Sequence, residues 1–345
     1  MTIPTGRHPE AMLELDDVNV HFSMREGTVR AVNGVSYHVN RGEVLGVVGE
    51  SGSGKSVTVR SIMRLLPRNT ELANGAIHFR PKPGEDYELS KLRSNSATMR
   101  RLRGGSIGMI FQEPMTALSP VHSIGTQIMR TVRLHRRCSA AEARARAIEL
   151  LQKVQLPRPA ELVDNYPHQL SGGMRQRAMI ALALACDPVL LIADEPTTAL
   201  DVTTEAQILD LLRELQSEMG MSIVFITHNF GVVAEIADRV AVMYLGEVVE
   251  TGTVDDIFYN AKHPYTRALL QSVPRLGQPP VHRLKTIPGM VPDPFNIPNG
   301  CVFNPRCQHA VAGTCDVHVP PRKSFPNDQV ARCHFAGELP QEQAS

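Results

Sequence analysis

Hydrophobic and polar positions in the first three quarters of the chain switch repeatedly between a strand pattern and a helix pattern. Short apolar runs of the kind that form buried strands lie at residues 13–22, 44–48, 106–111, 189–193, 222–227 and 239–244. Helical spacing occupies residues 55–66, residues 139–154 after a capping box at Ser139 and Glu142, and residues 208–219 before Gly220. Strands that alternate with helices predict an α/β domain around a largely parallel sheet.

The pattern weakens after about residue 260, where the composition also changes. About half of the 25 prolines lie between residues 256 and 345, and proline breaks regular elements because it lacks a backbone donor. We therefore expect an α/β domain at residues 11–260 and a small, loop-rich C-terminal extension at residues 261–345.

Composition excludes several classes of function. The 345 residues carry a formal net charge of +1 and no Trp, so neither a basic nucleic-acid surface nor a base-stacking platform is indicated. No apolar run reaches the roughly 18–20 residues that span a bilayer, and the N-terminus lacks the apolar core of a signal peptide. We expect an intracellular protein that reaches a membrane only through a partner.

A predicted phosphate-binding loop follows the second apolar run. Residues 49–56 read Gly-Glu-Ser-Gly-Ser-Gly-Lys-Ser, which fits GxxxxGKS between a strand and a helix. Glycines let backbone N–H groups converge on phosphate oxygens, and the helix N-terminus favours negative charge. Lys55 is expected to reach the β- and γ-phosphates, and Ser56 to hold Mg²⁺. The residues predicted to contact ATP here are Gly49, Ser51, Gly52, Ser53, Gly54, Lys55, Ser56 and Val57.

Two carboxylates, Asp194 and Glu195, follow the apolar run at residues 189–193. A carboxylate at a strand tip beside the phosphate loop can hold Mg²⁺, directly or through water, and the next one is placed to polarise the attacking water. An Asp-Glu pair after a strand is by itself usually a solvated loop. The phosphate loop favours the catalytic interpretation, with Asp194 as a Mg²⁺ ligand and Glu195 as the base.

The segment at residues 170–177 reads Leu-Ser-Gly-Gly-Met-Arg-Gln-Arg and lies about 20 residues before Asp194. It resembles the signature of ABC-type ATPases, with Met174 where that family usually has Gln. The resemblance covers about residues 11–260. It implies an ABC-type P-loop ATPase domain: a mainly parallel sheet core, additional antiparallel strands and a helical subdomain at about residues 113–180.

The same resemblance assigns roles by position. Gln112 is similar to the glutamine that senses Mg²⁺ and the attacking water, and His228 to the switch histidine that contacts the γ-phosphate. Residues 199–201 resemble the loop that contacts the opposing subunit. Asn229 stands where the family usually has Asp. Phe22 is either the aromatic residue that stacks on adenine or an ordinary core residue of its strand.

A head-to-tail pair of domains is implied as the working unit. ATP would lie between the phosphate loop of one domain and Ser171, Gly172 and Gly173 of the other. ATP would hold the closed state and hydrolysis would release it, which is a ligand-driven shift of populations. The helical subdomain would carry the motion to a membrane partner.

Two longer stretches, at residues 103–120 and 191–203, are similar to the peptide, nickel and glutathione importers, as are residues 263–266 and 287–292. That group implies two membrane-spanning permease subunits and a second, similar ATPase, with a heterodimer favoured over a homodimer. It also implies an extracytoplasmic substrate-binding protein, with this chain on the cytoplasmic face of the bacterial inner membrane. Peptides rank first as substrates, and glutathione, nickel and oligosaccharides stay open.

Four of the six cysteines lie in the extension, at Cys301, Cys307, Cys315 and Cys333. Structural zinc sites more often place Cys pairs two to four residues apart, a spacing that these four lack. Four cysteines suffice for a 4Fe–4S cluster, and members of the resembling family carry a cysteine cluster here that can hold one. Zinc, or no metal, are the alternatives. A cluster would be structural, because ATP-driven transport needs no redox step.

Two other functions remain open from the sequence. A soluble ABC-type ATPase could act in DNA repair or translation, but repair ATPases of this kind insert long coiled coils or duplicate the domain, and this chain does neither. A regulatory module could use the tail as a redox sensor. The intact set of Lys55, Gln112, Glu195 and His228 argues against a purely binding role.

Overall fold

The computed structural model describes residues 8–113, 117–198, 200–272 and 286–339. A four-stranded antiparallel sheet contains β1 (Leu13–Met24), β2 (Gly27–Val39), β4 (Thr70–Phe79) and β5 (Tyr87–Glu88). Its strand order is β2-β1-β4-β5. This sheet forms the additional antiparallel layer that the family resemblance implies.

An eight-stranded sheet forms the centre of the fold. Its strands are β3 (Val44–Val48), β6 (Ile107–Ile110), β7 (Leu190–Asp194), β8 (Ser222–Thr227), β9 (Arg239–Tyr244), β10 (Glu247–Thr253), β11 (Arg322–Ser324) and β12 (Val330–Arg332). The strand order is β11-β12-β10-β9-β3-β8-β7-β6. Neighbours from β9 to β6 pair in parallel, and those from β11 to β9 pair antiparallel.

Helices cover both faces of the central sheet. The α-helices are α1 (Lys55–Ile62), α2 (Ala97–Leu102), α3 (Ile124–His135), α4 (Ala140–Lys153), α5 (Pro159–Leu162), α6 (Gly172–Ala183), α7 (Val202–Met219), α8 (Phe230–Ile236), α9 (Val254–Asn260) and α10 (Pro264–Ser272). Short 3₁₀ helices lie at Leu89–Lys91, Pro167–Gln169, Asn304–Arg306 and Pro326–Asp328. None of the helices in the described ranges combines the length and apolar character that crossing a bilayer requires.

Apolar packing divides into three large clusters. One joins the helical subdomain, α3 to α6, to α7 and one face of the central sheet. A second fills the space between the two sheets and includes one side of α1. A third brings Val302 and Phe303 of the extension against Tyr244 of β9 and Tyr265 of α10. The extension therefore shares a core with the ATPase domain, and β12 continues the central sheet beyond β10.

Register places the predicted site at one edge of the sheet. Val48 at the end of β3 pairs with Thr227 at the end of β8, and Asp194 at the end of β7 pairs with Ile226. The carboxyl ends of parallel strands meet at a common edge, which is where ligands bind in α/β sheets. Chain segments that are far apart in sequence thus converge directly after these strands.

The predicted fold class is confirmed, since the mainly parallel core, antiparallel strands and helical subdomain are all present. The capping box at Ser139 and Glu142 is formed, and Gly220 ends α7 with φ of 61°. The helix predicted to reach residue 66 ends at Ile62, because Arg64 adopts φ of 49°, outside the helical region. Ala199, part of the predicted inter-subunit loop, lies outside the described residues, as do residues 114–116 of the predicted helical subdomain.

Candidate functional site

The phosphate loop runs from the end of β3 to the start of α1, and close backbone approaches require glycine at two of its positions. A Cβ on Gly49 would lie 2.1 Å from the carbonyl oxygen of Met243, and one on Gly54 would lie 2.4 Å from that of Ala31. Gly54 also has φ of 96°, a region that L-residues rarely adopt. The loop is therefore held between β9 and β2 along a single path.

Lys55 is buried inside this loop. Its Nζ donates to the carbonyl oxygens of Gly49 at 2.8 Å and Glu50 at 2.9 Å. Burial lowers the pKa of Lys55, while the carboxylates of Glu195, Asp194 and Glu50 oppose that shift. An ammonium group in this position carries three donors that phosphate oxygens can accept.

Ser56 and Asp194 form a pair suited to a magnesium ion. The Ser56 hydroxyl donates to Asp194 Oδ1 at 2.8 Å, whereas the buried Asp194 Oδ2 has no hydrogen-bond partner. Burial raises the pKa of Asp194, and the hydrogen bond from Ser56 opposes that shift. Hard oxygen donors of this kind are what Mg²⁺ prefers, and a cation would favour the charged carboxylate. The residues present therefore fit the ion.

Glu195 is the meeting point of three other side chains. Its Oε2 accepts from Gln112 Nε2 at 3.1 Å and from the Thr198 hydroxyl at 2.9 Å. Its Oε1 lies 3.5 Å from His228 Nδ1. Glu195 has φ of 48°, a strained value that is often associated with functional sites. Sequence reasoning missed Thr198, although its place three residues after the carboxylate was a usable signal.

Asn229, which stands where the resembling family usually has Asp, caps a helix. Its side-chain oxygen accepts from the backbone N–H of Gly231 at 2.9 Å and caps the N-terminus of α8. An amide oxygen caps a helix about as well as the carboxylate that the resembling family usually has at this position. The imidazole of His228 remains more than half exposed beside it.

Ser171 and Gly172, at the start of the signature segment, are exposed. Ser171 caps α6 by accepting from the backbone N–H of Met174 at 3.4 Å, and Gly172 and Gly173 open the helix. Among the described residues, no hydrogen bond joins these three to the phosphate loop of the same chain.

Phe22 lies on β1, opposite Val29 and Thr70 of the neighbouring strands. Its ring is partly buried and packs against the apolar cluster between the two sheets. Val57 of α1 packs against the same cluster. A partly buried ring is compatible with both interpretations of Phe22.

The four cysteines of the extension line one cavity, together with His263 and Phe303 among others. Burial raises the pKa of Cys301 to about 12 and that of Cys307 to about 11, and the neighbouring thiols add to both shifts. Within the described residues, no three His, Cys, Asp or Glu side chains stand in the arrangement that a metal ion requires. The donor set fits a thiolate-bound metal, but a preformed coordination geometry is absent from that part of the chain.

The chain matches two protein families and is similar to known transport ATPases. Residues 32–198 match the family described as ABC transporter, and residues 249–315 match the one described as oligopeptide/dipeptide transporter, C-terminal region. The chain is 46% identical over 325 residues to the dipeptide transport ATP-binding protein DppD of Escherichia coli, which covers 94% of this chain and 97% of that protein.

Two further matches agree with these. The chain is 50% identical over 301 residues to the oligopeptide transport ATP-binding protein OppD of Bacillus subtilis, which covers 87% of this chain and 82% of that protein. A solved ATP-binding cassette, a dimer in a post-hydrolysis state bound to ADP and Pi, superposes with a TM-score of 0.62. It has 29% identity and covers 70% of this chain and 99% of that one.

Proposed function

We propose that this chain, which belongs to the ABC transporter family of ATPases, powers the import of peptides across the bacterial inner membrane. The observation that carries the proposal is the convergence of Lys55, Asp194, Glu195 and His228 at one sheet edge, in a chain whose relatives are named for dipeptide and oligopeptide transport. A soluble role in DNA repair or translation has no comparable support.

ATP hydrolysis would use the residues of this edge in distinct roles. The loop residues Gly49 to Val57 would bind the triphosphate, with Phe22 against adenine. Ser56, Asp194 and Gln112 would hold Mg²⁺, which supplies charge neutralisation between the phosphates. Glu195 would orient and deprotonate the attacking water, and His228 would contact the γ-phosphate. The hydrogen bonds from Gln112 and Thr198 support this assignment because they hold the Glu195 carboxylate in one orientation.

The exposure of Ser171 and Gly172 supports a second ATPase as partner. Ser171, Gly172 and Gly173 would contact the γ-phosphate bound by the opposing domain, so ATP would join the two domains. We favour a heterodimer with a similar ATPase. Two permease subunits would receive the motion from the helical subdomain, and an extracytoplasmic binding protein would deliver the substrate. The chain would then lie peripherally on the cytoplasmic face of the membrane.

The extension at residues 261–345 would form a unit appended to the ATPase domain at residues 11–260. We propose that Cys301, Cys307, Cys315 and Cys333 hold a 4Fe–4S cluster, which would supply a structural cross-link between loops. The shared cavity supports this proposal. Burial raises the pKa of Cys301 and Cys307, so these two thiols would keep their protons until a metal ion stabilised the thiolates.

Substrate class is tested by uptake in cells that express either the native chain or Glu195→Gln. Labelled di- and oligopeptides should enter cells with the native chain and fall to background with the variant. Glu214→Gln, an exposed glutamate on α7, is the matched control. Loss of nickel or glutathione uptake with intact peptide uptake would overturn the peptide assignment and leave the ATPase assignment in place.

A further inference from the structure

The extension contacts the phosphate loop directly through one arginine. Arg306 Nη1 donates to Glu50 Oε2 at 2.7 Å, and Nη2 donates to Glu50 Oε1 at 3.1 Å. This is a bidentate pair, the geometry in which arginine binds a carboxylate most strongly. Only 4% of the Arg306 side chain is exposed. Glu50 is the second residue of the phosphate loop, 256 positions away in the chain.

Neighbouring groups fix the orientation of the guanidinium. Arg306 Nε donates to the carbonyl oxygen of Pro288 at 3.1 Å, and Nη1 also lies 3.4 Å from the Tyr244 hydroxyl. Arg306 itself ends a 3₁₀ helix and is followed by Cys307, which lines the cysteine cavity. A rigid, planar guanidinium group that is fixed through its Nε can hold its carboxylate partner in one position.

Glu50 is held through its backbone as well. Its N–H donates to the Tyr265 hydroxyl at 3.0 Å, and its carbonyl oxygen accepts from Lys55 Nζ at 2.9 Å. Tyr265 belongs to α10 and packs against Phe303 with ring centroids 5.3 Å apart. The side chain and the backbone of one loop residue are therefore bound by the segment that follows the ATPase domain.

We propose that Arg306 is a positioning residue for ATP binding: it holds Glu50, and through it the phosphate loop, in the conformation that accepts the triphosphate. It acts in two ways. It neutralises a carboxylate that would otherwise stand unpaired beside a site for four negative charges. It also makes the shape of the loop depend on the fold of the extension. The inference concerns ATP binding and does not depend on which substrate is transported.

The test uses the full chain with Arg306→Gln, Glu50→Gln and the double variant. Titration with MgATP should show about tenfold weaker binding for Arg306→Gln, with kcat at saturating ATP changed much less, because Arg306 does not touch the reacting atoms. The double variant should bind no more weakly than Arg306→Gln, since both side chains act through one contact. Amide hydrogen exchange across residues 49–56 should accelerate in both single variants.

Lys323→Gln is the control, because it removes an ion pair with Glu338 that lies within the extension. It should leave MgATP affinity and loop exchange unchanged. Arg306→Lys keeps the positive charge but cannot form the bidentate pair with Glu50. Its affinity for MgATP should lie between those of the native chain and Arg306→Gln. The inference is wrong if Arg306→Gln alters only the melting temperature, or if the effects of Arg306→Gln and Glu50→Gln on affinity add. Glu50→Gln changes no residue of the extension, and it keeps the test decisive should Arg306→Gln fail to fold.

Discussion

The sheet edge that carries the phosphate loop and the cysteine cavity of the extension are both assembled from segments distant in sequence, but they are held in different ways. At the edge, hydrogen bonds already join Ser56 to Asp194 and Gln112 to Glu195. In the cavity, the four thiols share a space without a metal-binding arrangement among the described residues. Folding of the chain alone arranges the residues at the sheet edge, whereas the four cysteines would be arranged only when a ligand binds in the cavity.

Strand register explains the difference. The edge follows parallel strands of four to six residues that are buried on both faces of the sheet. A shift of one residue in strand register would move every side chain to the opposite face. The extension has only two strands of three residues each among its described parts. Aromatic packing of Tyr244, Tyr265 and Phe303 holds it instead, with ring centroids 4.6–5.3 Å apart.

The largest expected effect is on chemistry at the edge without loss of stability. Glu195→Gln should lower kcat for ATP hydrolysis by about 10²–10⁴-fold, the usual contribution of a general base. The melting temperature should change little, because an amide can still accept from Gln112 and Thr198. Steady-state ATPase assays and calorimetry measure the two quantities. Unchanged turnover would show that Glu195 is not the base.

In the cysteine cavity we expect a loss of stability. Cys307→Ser should lower the melting temperature by several degrees, since about 1 kcal/mol shifts it by roughly 2–8 °C depending on domain size. Protein purified without oxygen should contain iron near the four atoms of one cluster, and the variant should contain almost none. Metal analysis and visible absorbance distinguish the outcomes. Zinc in place of iron, or neither metal in the native chain, would refute the cluster.

The smallest effect lies outside both regions, at His38 of β2. Burial lowers the pKa of His38 to about 4, and the charges of Arg239 and His8 add to the shift, opposed by Asp328 and Glu14. The His38 Nε2 lies 2.9 Å from Arg239 Nη1 and can accept its hydrogen bond only when neutral. The unfolded histidine binds its proton near pH 6.5, so stability should fall as the pH drops from there toward 4.

At pH 5 the expected loss of unfolding free energy from His38 is about 2 kcal/mol relative to pH 7. Denaturant unfolding at both pH values measures it. His38→Gln should reduce the difference in unfolding free energy between the two pH values by that amount. If the stability of the native chain and of His38→Gln depended equally on pH, the pKa of His38 would be the same in the folded and unfolded states.

Sequence patterns predicted most of the α/β core because its strands are short, apolar and bounded by turn residues. The runs at 44–48, 222–227 and 239–244 agree with the structure to the residue. The same patterns predicted that Gln112, Asp194, Glu195 and His228 follow strands, and parallel register then brings them together. Contacts such as Arg306 with Glu50 could not be predicted, because they depend on how a tail without regular periodicity packs on the completed domain.

The cap of α6 has a consequence for repeated operation. A hydroxyl has one donor and two acceptor sites, and within the described part of the chain Ser171 uses only an acceptor site, for the backbone N–H of Met174. Its proton is therefore available to an incoming anion while the first turn stays intact. Binding and release of an anion at Ser171 would then leave the helix unaltered, so no free energy would be needed to re-form its first turn in each cycle.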